Sequence, residues 1–266
     1  MRELVLNAPD LITLELIGCY TLTDAGAAHI HGFRSLKKLS LSPPDNLTSS
    51  AKCDLGRIRS LQELSFDEDL LSHDLLQSMA NLKDLRVLGE FSDVDSRGFD
   101  IICTSFERLE SLEISFSLFS DVDGKKLCRF KNLKNLRLDD SEDLTDVTFT
   151  EGIRHCSLQK LSISHCVRLT GLGISCINTS RGPLRELSLN NSGEIRDSDL
   201  EDILRRGNFL RSVHVSNCRS LSDTWVEVFQ SCCPRLERLE LAVSALKKSS
   251  LRKLSSRRPT VALYSF

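Results

Sequence analysis

One apolar phrase, Leu-x-x-Leu-x-Leu, returns about every 25 residues along this chain, and it constrains the fold more than any other feature. Residues 158–163 and 210–215 are two clear copies, the second with valine in place of leucine. A fixed period of this length predicts stacked units that bury their apolar faces against their neighbours. Copies are predicted to begin at ten leucines: Leu11, Leu36, Leu61, Leu82, Leu109, Leu133, Leu158, Leu184, Leu210 and Leu236.

Each copy predicts a strand, a turn and a short helix. Alternation places Leu161 toward a core and Lys160 toward solvent, as in a strand with one buried face. An apolar residue followed by Thr-Asp, as in residues 144–146, then predicts a turn whose polar side chain caps a helix. The spacing of Leu200, Ile203 and Leu204 fits one apolar face of such a helix. The same turn is predicted at residues 22–24, 91–93, 119–121, 195–197 and 221–223.

The repeats are less regular near the ends and around Leu82. The unit before Leu82 spans 21 residues, which predicts a shortened helix there. Residues 1–10 and 258–266 are interpreted as partial repeats that would leave sheet edges unprotected. The prediction is therefore a single domain over residues 1–266 that is part of a longer protein.

The ten cysteines are predicted to be reduced. Cys19, Cys166 and Cys218 share one position of the repeat, which favours a small side chain with a weak hydrogen bond. Cys166 and Cys218 lie two repeats apart, roughly 10 Å, which is beyond the reach of a disulfide. No pair has zinc-ligand spacing. Free thiols favour an intracellular protein, cytoplasmic or nuclear.

Composition excludes several classes of function. A net charge of −2 gives no general attraction to nucleic acid or to an anionic membrane surface. No apolar run approaches the roughly 20 residues of a membrane span, and the N-terminus has no secretory pattern. The metal-protease, phosphate-loop, dinucleotide and serine-hydrolase motifs do not occur. We therefore expect no enzyme activity, cofactor or metal site.

The extended phrase with Cys and Leu-Thr-Asp, best seen at residues 11–24, 158–170 and 210–223, resembles the cysteine-containing class of leucine-rich repeats. This class is most familiar from F-box/leucine-rich-repeat proteins, the substrate receptors of SCF-type ubiquitin ligases. The resemblance implies an α/β, right-handed leucine-rich-repeat solenoid, or horseshoe, of about ten repeats, with a parallel concave sheet and short convex helices.

In that family the repeat arc captures a substrate protein, while a separate F-box of some 40 residues binds the ligase adaptor. Repeats fill this chain and no segment resembles an F-box, so an SCF adaptor would bind only through a segment absent here. The resemblance thus implies a monomeric interaction scaffold, the substrate-recognition arc of a ligase receptor. The alternative is a stand-alone adaptor or inhibitor that regulates the cell cycle or repair without a ligase.

The concave face is the predicted partner site, because its side chains point away from the core on a rigid sheet. Leu88 and Phe116 are predicted to be apolar residues where strands end. Phe116 has two readings, an exposed anchor for a partner or a core residue between repeats. The candidate residues are Glu15, Lys38, Glu63, Arg86, Glu113, Phe116, Arg137, Asp139, Lys160, His165, Asn190 and His214.

Overall fold

The computed structural model describes residues 1–42, 46–66, 72–92, 94–115, 119–140, 142–177, 184–192, 194–206, 209–218, 220–222, 232–242 and 262–265. The chain divides into two compact units. The first comprises Met1–Leu118 and Arg129–Leu133, and the second comprises Phe119–Cys128 and Lys134–Phe266. Phe116, residues 223–231 and most of the closing repeat at 258–266 lie outside the described residues.

The described residues of the first unit form a parallel sheet with helices between its strands. The strands are β1 (Thr13–Ile17), β2 (Lys38–Ser42), β3 (Glu63–Phe66), β4 (Val87–Ser92) and β5 (Ser111–Ser115), paired in chain order. The helices are α1 (Arg2–Asn7), α2 (Asp24–Ala28), α3 (Ser49–Leu55), α4 (His73–Met79) and α5 (Ser96–Ser105). A 3₁₀ turn at His29–Gly32 extends α2, and the register between β4 and β5 shifts after Leu88.

The second unit repeats this design. Its strands are β6 (Asn135–Leu138), β7 (Lys160–Ser164), β8 (Glu186–Asn190), β9 (Ser212–Ser216), β10 (Arg238–Ala242) and β11 (Ala262–Ser265), again parallel and paired in chain order. The helices are α6 (Asp121–Gly124), α7 (Gly171–Ile177) and α8 (Asp197–Arg206). Turns of 3₁₀ helix lie at Lys125–Arg129 and Ile153–His155, and a π-helical turn lies at Thr148–Gly152. A Cβ atom on Gly152 would collide with the Gly124 carbonyl oxygen, so this layer needs glycine there.

Leucines of the repeated phrase form the core of both units. Leu64 and Leu161, which occupy the central inward position of their strands, are 1% and 2% exposed. Burying one such side chain stabilises the fold by about 1.5–3 kcal/mol. The predicted apolar face of α8 is confirmed, since Leu200, Ile203 and Leu204 are fully buried. The leucines that recur about every 25 residues in the sequence therefore form the successive layers of the core.

The frame of the fourth repeat differs from the prediction by three residues. Glu63 pairs with Val87, so Leu85 rather than Leu82 is the equivalent of Leu61. The leucines at 82, 85 and 88 fit the phrase in two frames, and all are buried, so only strand pairing distinguishes the frames. The preceding unit consequently has ordinary length, and α4 has seven residues like α3. The expected shortening of the helix is wrong.

Polar side chains cap the helices as the sequence predicts. The hydroxyls of Thr23, Thr48 and Ser72 accept the amide hydrogens of Gly26, Ala51 and Leu75 at 3.3–3.4 Å. In the fourth repeat the cap is Asp95, which accepts from the Gly98 amide at 2.8 Å, and not Ser92 of the predicted turn at 91–93. This difference is the same three-residue shift of frame.

The aspartates after these caps link one repeat to the next. Asp24 accepts the Thr48 amide at 2.9 Å and the Thr48 hydroxyl at 2.7 Å. Asp146 bonds Thr170 in the same way, at 2.9 and 2.6 Å. Further pairs of this kind are Asp121 with Thr145, and Asp197 with Ser222. We call Asp24, Asp121, Asp146 and Asp197 the aspartate ladder.

The residue after each strand often adopts a left-handed backbone conformation. The positive φ angles are 67° at Gly18, 49° at Asp140, 56° at His165, 44° at Asn191 and 53° at Asn217. At His165 and Asn191 the turned backbone amide donates to a carbonyl of the next strand, both at 2.9 Å. The chain thereby places its next residue, the shared Cys position, in the interior.

None of the ten cysteines forms a disulfide. Cys166 and Cys218 are buried, and the Cys218 thiol donates to the Leu189 and Ser216 carbonyls at 3.8 and 3.4 Å. Ser192 fills the same position and bonds Ile163 and Asn190 carbonyls at 3.4 and 3.0 Å. The position thus favours a small donor side chain, as the sequence suggests.

Candidate functional site

In each unit the candidate site is the sheet face opposite the buried leucines, which we call the open face. Strand register aligns its side chains in columns that run across the strands. In the first unit one column is Thr13, Lys38, Glu63, Val87 and Ser111. In the second unit the matching column is Asn135, Lys160, Glu186, Ser212 and Arg238. The neighbouring column of the second unit is Arg137, Ser162, Ser188, His214 and Glu240.

Lys38 is the centre of the charge arrangement in the first unit. Its Nζ lies 2.8 Å from Glu15 Oε1 and 3.8 Å from Glu63 Oε2, on the two neighbouring strands. The hydrogen bond and charge of Glu15 raise the pKa of Lys38 above its ordinary value. All three side chains are about two-fifths exposed, so solvent screens them and their contribution to stability is small. These two ion pairs instead hold the three side chains in defined positions on the open face.

Ion pairs also organise the second unit. Lys160 Nζ lies 2.8 Å from Glu186 Oε1 on the next strand, and Arg137 Nε lies 2.6 Å from Asp139 Oδ2 where β6 ends. Between these charges, Ser162 and Ser188 present only small hydroxyl groups. A partner would therefore meet paired charges of both signs around short polar side chains.

A hydrogen-bond network centred on His214 spans β8, β9 and β10. His214 Nδ1 lies 2.9 Å from Glu240 Oε2, and Nε2 lies 3.1 Å from the Ser216 hydroxyl. That hydroxyl donates to Asn190 Oδ1 at 2.9 Å, and Arg238 Nε donates to Glu240 Oε1 at 2.8 Å. Burial alone would raise the pKa of Glu240, but the bonds from Arg238 and His214 outweigh it and lower the pKa. The network is partly buried and its side chains are held in place by several contacts each.

His165 directly follows β7 and forms a second cluster of polar contacts, with Asp140 and Ser164. Its Nδ1 contacts Asp140 Oδ1 and lies 2.9 Å from the Ser164 hydroxyl. The adjacent Cys166 thiol points inward, where burial, with smaller contributions from the charges of Asp139 and Asp140, raises its pKa to about 12. A thiol held protonated in this way is a packing group and a poor nucleophile.

Most of the predicted site residues lie on the open face or at its strand exits, in both units. Glu15, Lys38, Glu63 and Glu113 are on strands of the first unit, and Glu113 is half-buried. Arg137, Lys160, Asn190 and His214 are on strands of the second, with Asp139 and His165 directly after them.

Two predicted positions differ in the structure. Arg86 precedes β4, because the fourth repeat starts three residues later than predicted, and Val87 and Gly89 take the open-face slots. Arg86 instead pairs with Glu110 at 3.3 Å at the start of the strands. Leu88, interpreted from the sequence as an apolar strand exit, is a core residue, 1% exposed. Phe116 lies outside the described residues, so both of its readings stay predictions.

The candidate set leaves out several residues of the His214 network. Ser216, Arg238 and Glu240 connect the predicted residues Asn190 and His214. The sequence feature that could have identified these residues is the spacing of 26 residues between partners on neighbouring strands. Aligning the repeats and comparing the same column in successive strands would reveal it.

Across the part of the chain that the structure describes, no three His, Cys, Asp or Glu side chains lie close enough to hold a metal ion. Nor does any helix within those residues have the length and apolar character needed to cross a membrane.

The chain is similar in sequence to F-box protein SKIP19 of Arabidopsis thaliana, with 27% identity over 174 residues. The aligned part is 62% of this chain and 55% of SKIP19, so the chain spans about half the length of this curated relative. No protein-family model matches the chain. The match bears out the predicted resemblance to F-box/leucine-rich-repeat proteins.

Solved structures resemble this fold over nearly the whole chain. One is from the complex of Rad7 and Elc1 in yeast, with a TM-score of 0.65, 16% identity and coverage of 96% of this chain and 74% of the other. Another is the leucine-rich-repeat-containing protein LegL7 of Legionella pneumophila, with a TM-score of 0.54, 14% identity and coverage of 92% and 91%. The predicted α/β leucine-rich-repeat solenoid is confirmed.

Proposed function

We propose that the open face holds a protein substrate and that the chain is the substrate-recognition arc of an SCF-type ubiquitin ligase receptor. The observation that carries the binding role is the His214 network, in which five polar side chains are already positioned on adjacent strands. Side chains fixed before binding lose less conformational entropy on association, so polar contacts to them yield more affinity.

The charge pattern indicates the kind of partner. Arg137, Lys160 and Arg238 each pair with a carboxylate on the open face, so no single sign of charge dominates. A folded protein surface with both signs of charge is complementary to such a face, and it would gain specificity and orientation from these groups. The partner in this proposal is therefore a protein, and neither nucleic acid nor a membrane is required.

The ligase role is supported by the similarity to the F-box protein SKIP19. Under the proposal the open face positions the substrate, and a segment outside these residues binds the SCF adaptor. The chain itself performs no chemistry and needs no cofactor. Ten cysteines without a disulfide are consistent with action in a reducing compartment, the cytoplasm or the nucleus.

Affinity capture with matched variants tests both parts of the proposal. The bait is the natural polypeptide expressed in cells, with Lys160→Glu and Arg137→Glu as open-face variants. Arg205→Glu, which alters an ion pair on α8, is the control. We expect an SCF adaptor and a cullin with every bait, and loss of specific substrate proteins with the open-face variants only.

Two results would contradict the proposal. Substrates that the open-face variants and the control retain equally would remove the open face as the binding site. If no ligase component is recovered and one stoichiometric partner is, the protein is a stand-alone adaptor or inhibitor.

A further inference from the structure

A row of positively charged side chains lies at the amino-terminal ends of strands β2, β3 and β4, and not on the open face. Arg34, Arg59 and Lys83 each lie four residues before the first residue of their strand. Those first residues are aligned in the strand register, so the three cations occupy equivalent places in successive repeats. Lys37, which directly precedes β2, lies at the same end. We call Arg34, Lys37, Arg59 and Lys83 the basic row, and all four side chains are exposed.

Other cations at the strand ends of this unit pair with carboxylates. Arg86 Nη1 lies 3.3 Å from Glu110 Oε1, and Arg108 contacts Asp84. In contrast, no carboxylate of the described residues lies within ion-pair distance of any member of the basic row. The basic row therefore presents its charge to solvent, whereas its neighbours are neutralised.

The sequence around the basic row supplies few acidic residues. Residues 25–44 contain no aspartate or glutamate. Asp54, which precedes Arg59, is held by Arg57 at 2.7 Å. Adjacent strands lie about 4.8 Å apart, whereas charges in solution act over a Debye length of about 8 Å, so the positive charges of successive repeats add. Like charges this close repel each other, and a bound anionic group would relieve that repulsion.

An open groove of about 580 Å³ lies beside the basic row, between α3 and α4. Arg57 and Arg59 line this groove together with the side-chain amides of Gln77 and Asn81. Asp74 is the one carboxylate among the described residues that line it. The amides can donate to a carboxylate or to a peptide carbonyl. A segment that lies along the basic row would thus find a place here for one polar side chain.

Carboxylates of a protein fit the basic row better than the phosphates of a nucleic acid. Glu107 holds the equivalent place in the next repeat, so the row ends after three repeats. A nucleic acid carries a phosphate at every nucleotide and needs a longer track of cations. Asp54 and Asp84, which lie among the cations, would also repel it. An arginine, by contrast, can bind a single carboxylate through two parallel hydrogen bonds.

We propose that the basic row binds an acidic segment of a partner protein, at a site separate from the open face. The segment lies across the starts of β2, β3 and β4, with its carboxylates on Arg34, Arg59 and Lys83 and a neutral polar side chain in the groove. The open face differs from this surface, because its cations Lys38 and Lys160 are already paired with glutamates. Binding at the basic row requires neither a substrate on the open face nor a ligase adaptor.

A labelled peptide of alternating glutamate and serine, about eight residues long so that it spans three strands, is the probe. Its binding to the full chain is measured by fluorescence anisotropy, with a peptide of alternating glutamine and serine as the uncharged control. We expect saturable binding of the acidic peptide only, and weaker binding at higher salt because the contacts join exposed charges. Arg34→Glu combined with Arg59→Glu should weaken binding at least about tenfold, since each reversal replaces an attraction by a repulsion.

Arg154→Glu combined with Arg206→Glu is the matched control, because both arginines are exposed, lie in the second unit and change the net charge equally. Lys160→Glu separates the basic row from the open face, and neither control should change peptide binding. The proposal is overturned if the acidic peptide does not bind, or if the matched control weakens binding as much as the variant of the basic row. Tighter binding of an oligonucleotide of equal charge at the basic row would also overturn it.

Chemical denaturation of the same variants separates binding from folding. The variant of the basic row should be as stable as the wild type or more stable, because it removes repulsion between like charges. A loss of stability together with unchanged peptide binding would show that these cations stabilise the helix ends instead, and the proposal would be wrong.

Discussion

At the scale of single residues, the residues with left-handed backbone conformation after the strands determine where the chain turns away from the open face. His165, Asn191 and Asn217 adopt φ angles that most side chains avoid, and they do so without being glycine. Asparagine tolerates this conformation better than other residues, whereas a β-branched side chain clashes with its own backbone. The conformation turns the backbone amide toward the next strand and sends the following residue into the core.

Asn191 provides a direct test of this constraint. Asn191→Val should lower the free energy of unfolding by about 1–2 kcal/mol, because valine cannot adopt φ of 44° without strain. Asn191→Gly should leave stability equal or higher. Urea unfolding of both variants measures the difference, with Ser188→Val on the open face of β8 as the control for added apolar bulk. Equal stability of the valine and glycine variants would show that the conformation is not enforced.

At the scale of elements, the aspartate ladder joins each helix start to the next. Asp121 accepts four hydrogen bonds, from the amide and hydroxyl of Thr145 at 3.0 and 2.6 Å and of Thr148 at 3.2 and 2.7 Å. Burial raises the pKa of Asp121, but these bonds outweigh burial and hold the pKa below its ordinary value. This one carboxylate thus accepts from two backbone amides and two hydroxyls of the following repeat, which would otherwise need other acceptors.

Removing this carboxylate should destabilise the second unit. We expect Asp121→Ala to cost about 2–3 kcal/mol of unfolding free energy, because two amides and two hydroxyls lose a charged acceptor. Asp143→Ala removes an exposed ion pair with Arg168 and should change stability by less than about 0.5 kcal/mol. Chemical denaturation compares the two, and equal losses would argue against the ladder.

The same carboxylate should make stability depend on acid. The pKa of Asp121 is lower in the folded chain, so on acidification the unfolded chain binds its proton first. The stabilisation is therefore complete above about pH 4, the ordinary range of an aspartate, and is lost as the pH falls through the lower folded value. The stability difference between wild type and Asp121→Asn should be constant above about pH 5 and should shrink between about pH 4 and pH 2. A constant difference over that range would exclude titration of Asp121 as its cause.

At the scale of the whole molecule, stacking makes stability a sum of neighbouring contacts. The described strands β6 to β10 of the second unit pair with one another in chain order, and their core leucines lie in matching layers. Damage to one repeat should therefore spread to its neighbours and weaken with distance. The open face should likewise be sensitive to damage in neighbouring repeats, because the His214 network needs three successive strands to keep their register.

Leu161→Ala tests this expectation. The cavity left in β7 should cost about 2–5 kcal/mol, because Leu161 is a buried core side chain. Hydrogen exchange should accelerate in β6, β7 and β8 and change little in β10. Ser162→Ala, at the half-buried neighbour on the open face, serves as the control. Equal acceleration in every strand of the second unit would indicate that the unit opens as one cooperative block.

The repeating architecture, the inward leucines, the helix caps and most columns of the open face could be predicted from the sequence, because each depends on residues that are near in sequence. The tertiary structure decided the frame at Leu85, since leucines three apart satisfy two frames locally and only pairing with β3 selects one. It also decided that the ladder aspartates bond the next repeat, and that Arg238, Glu240 and Ser216 surround His214. These contacts join side chains about 25 residues apart, and their geometry exists only after the strands have stacked.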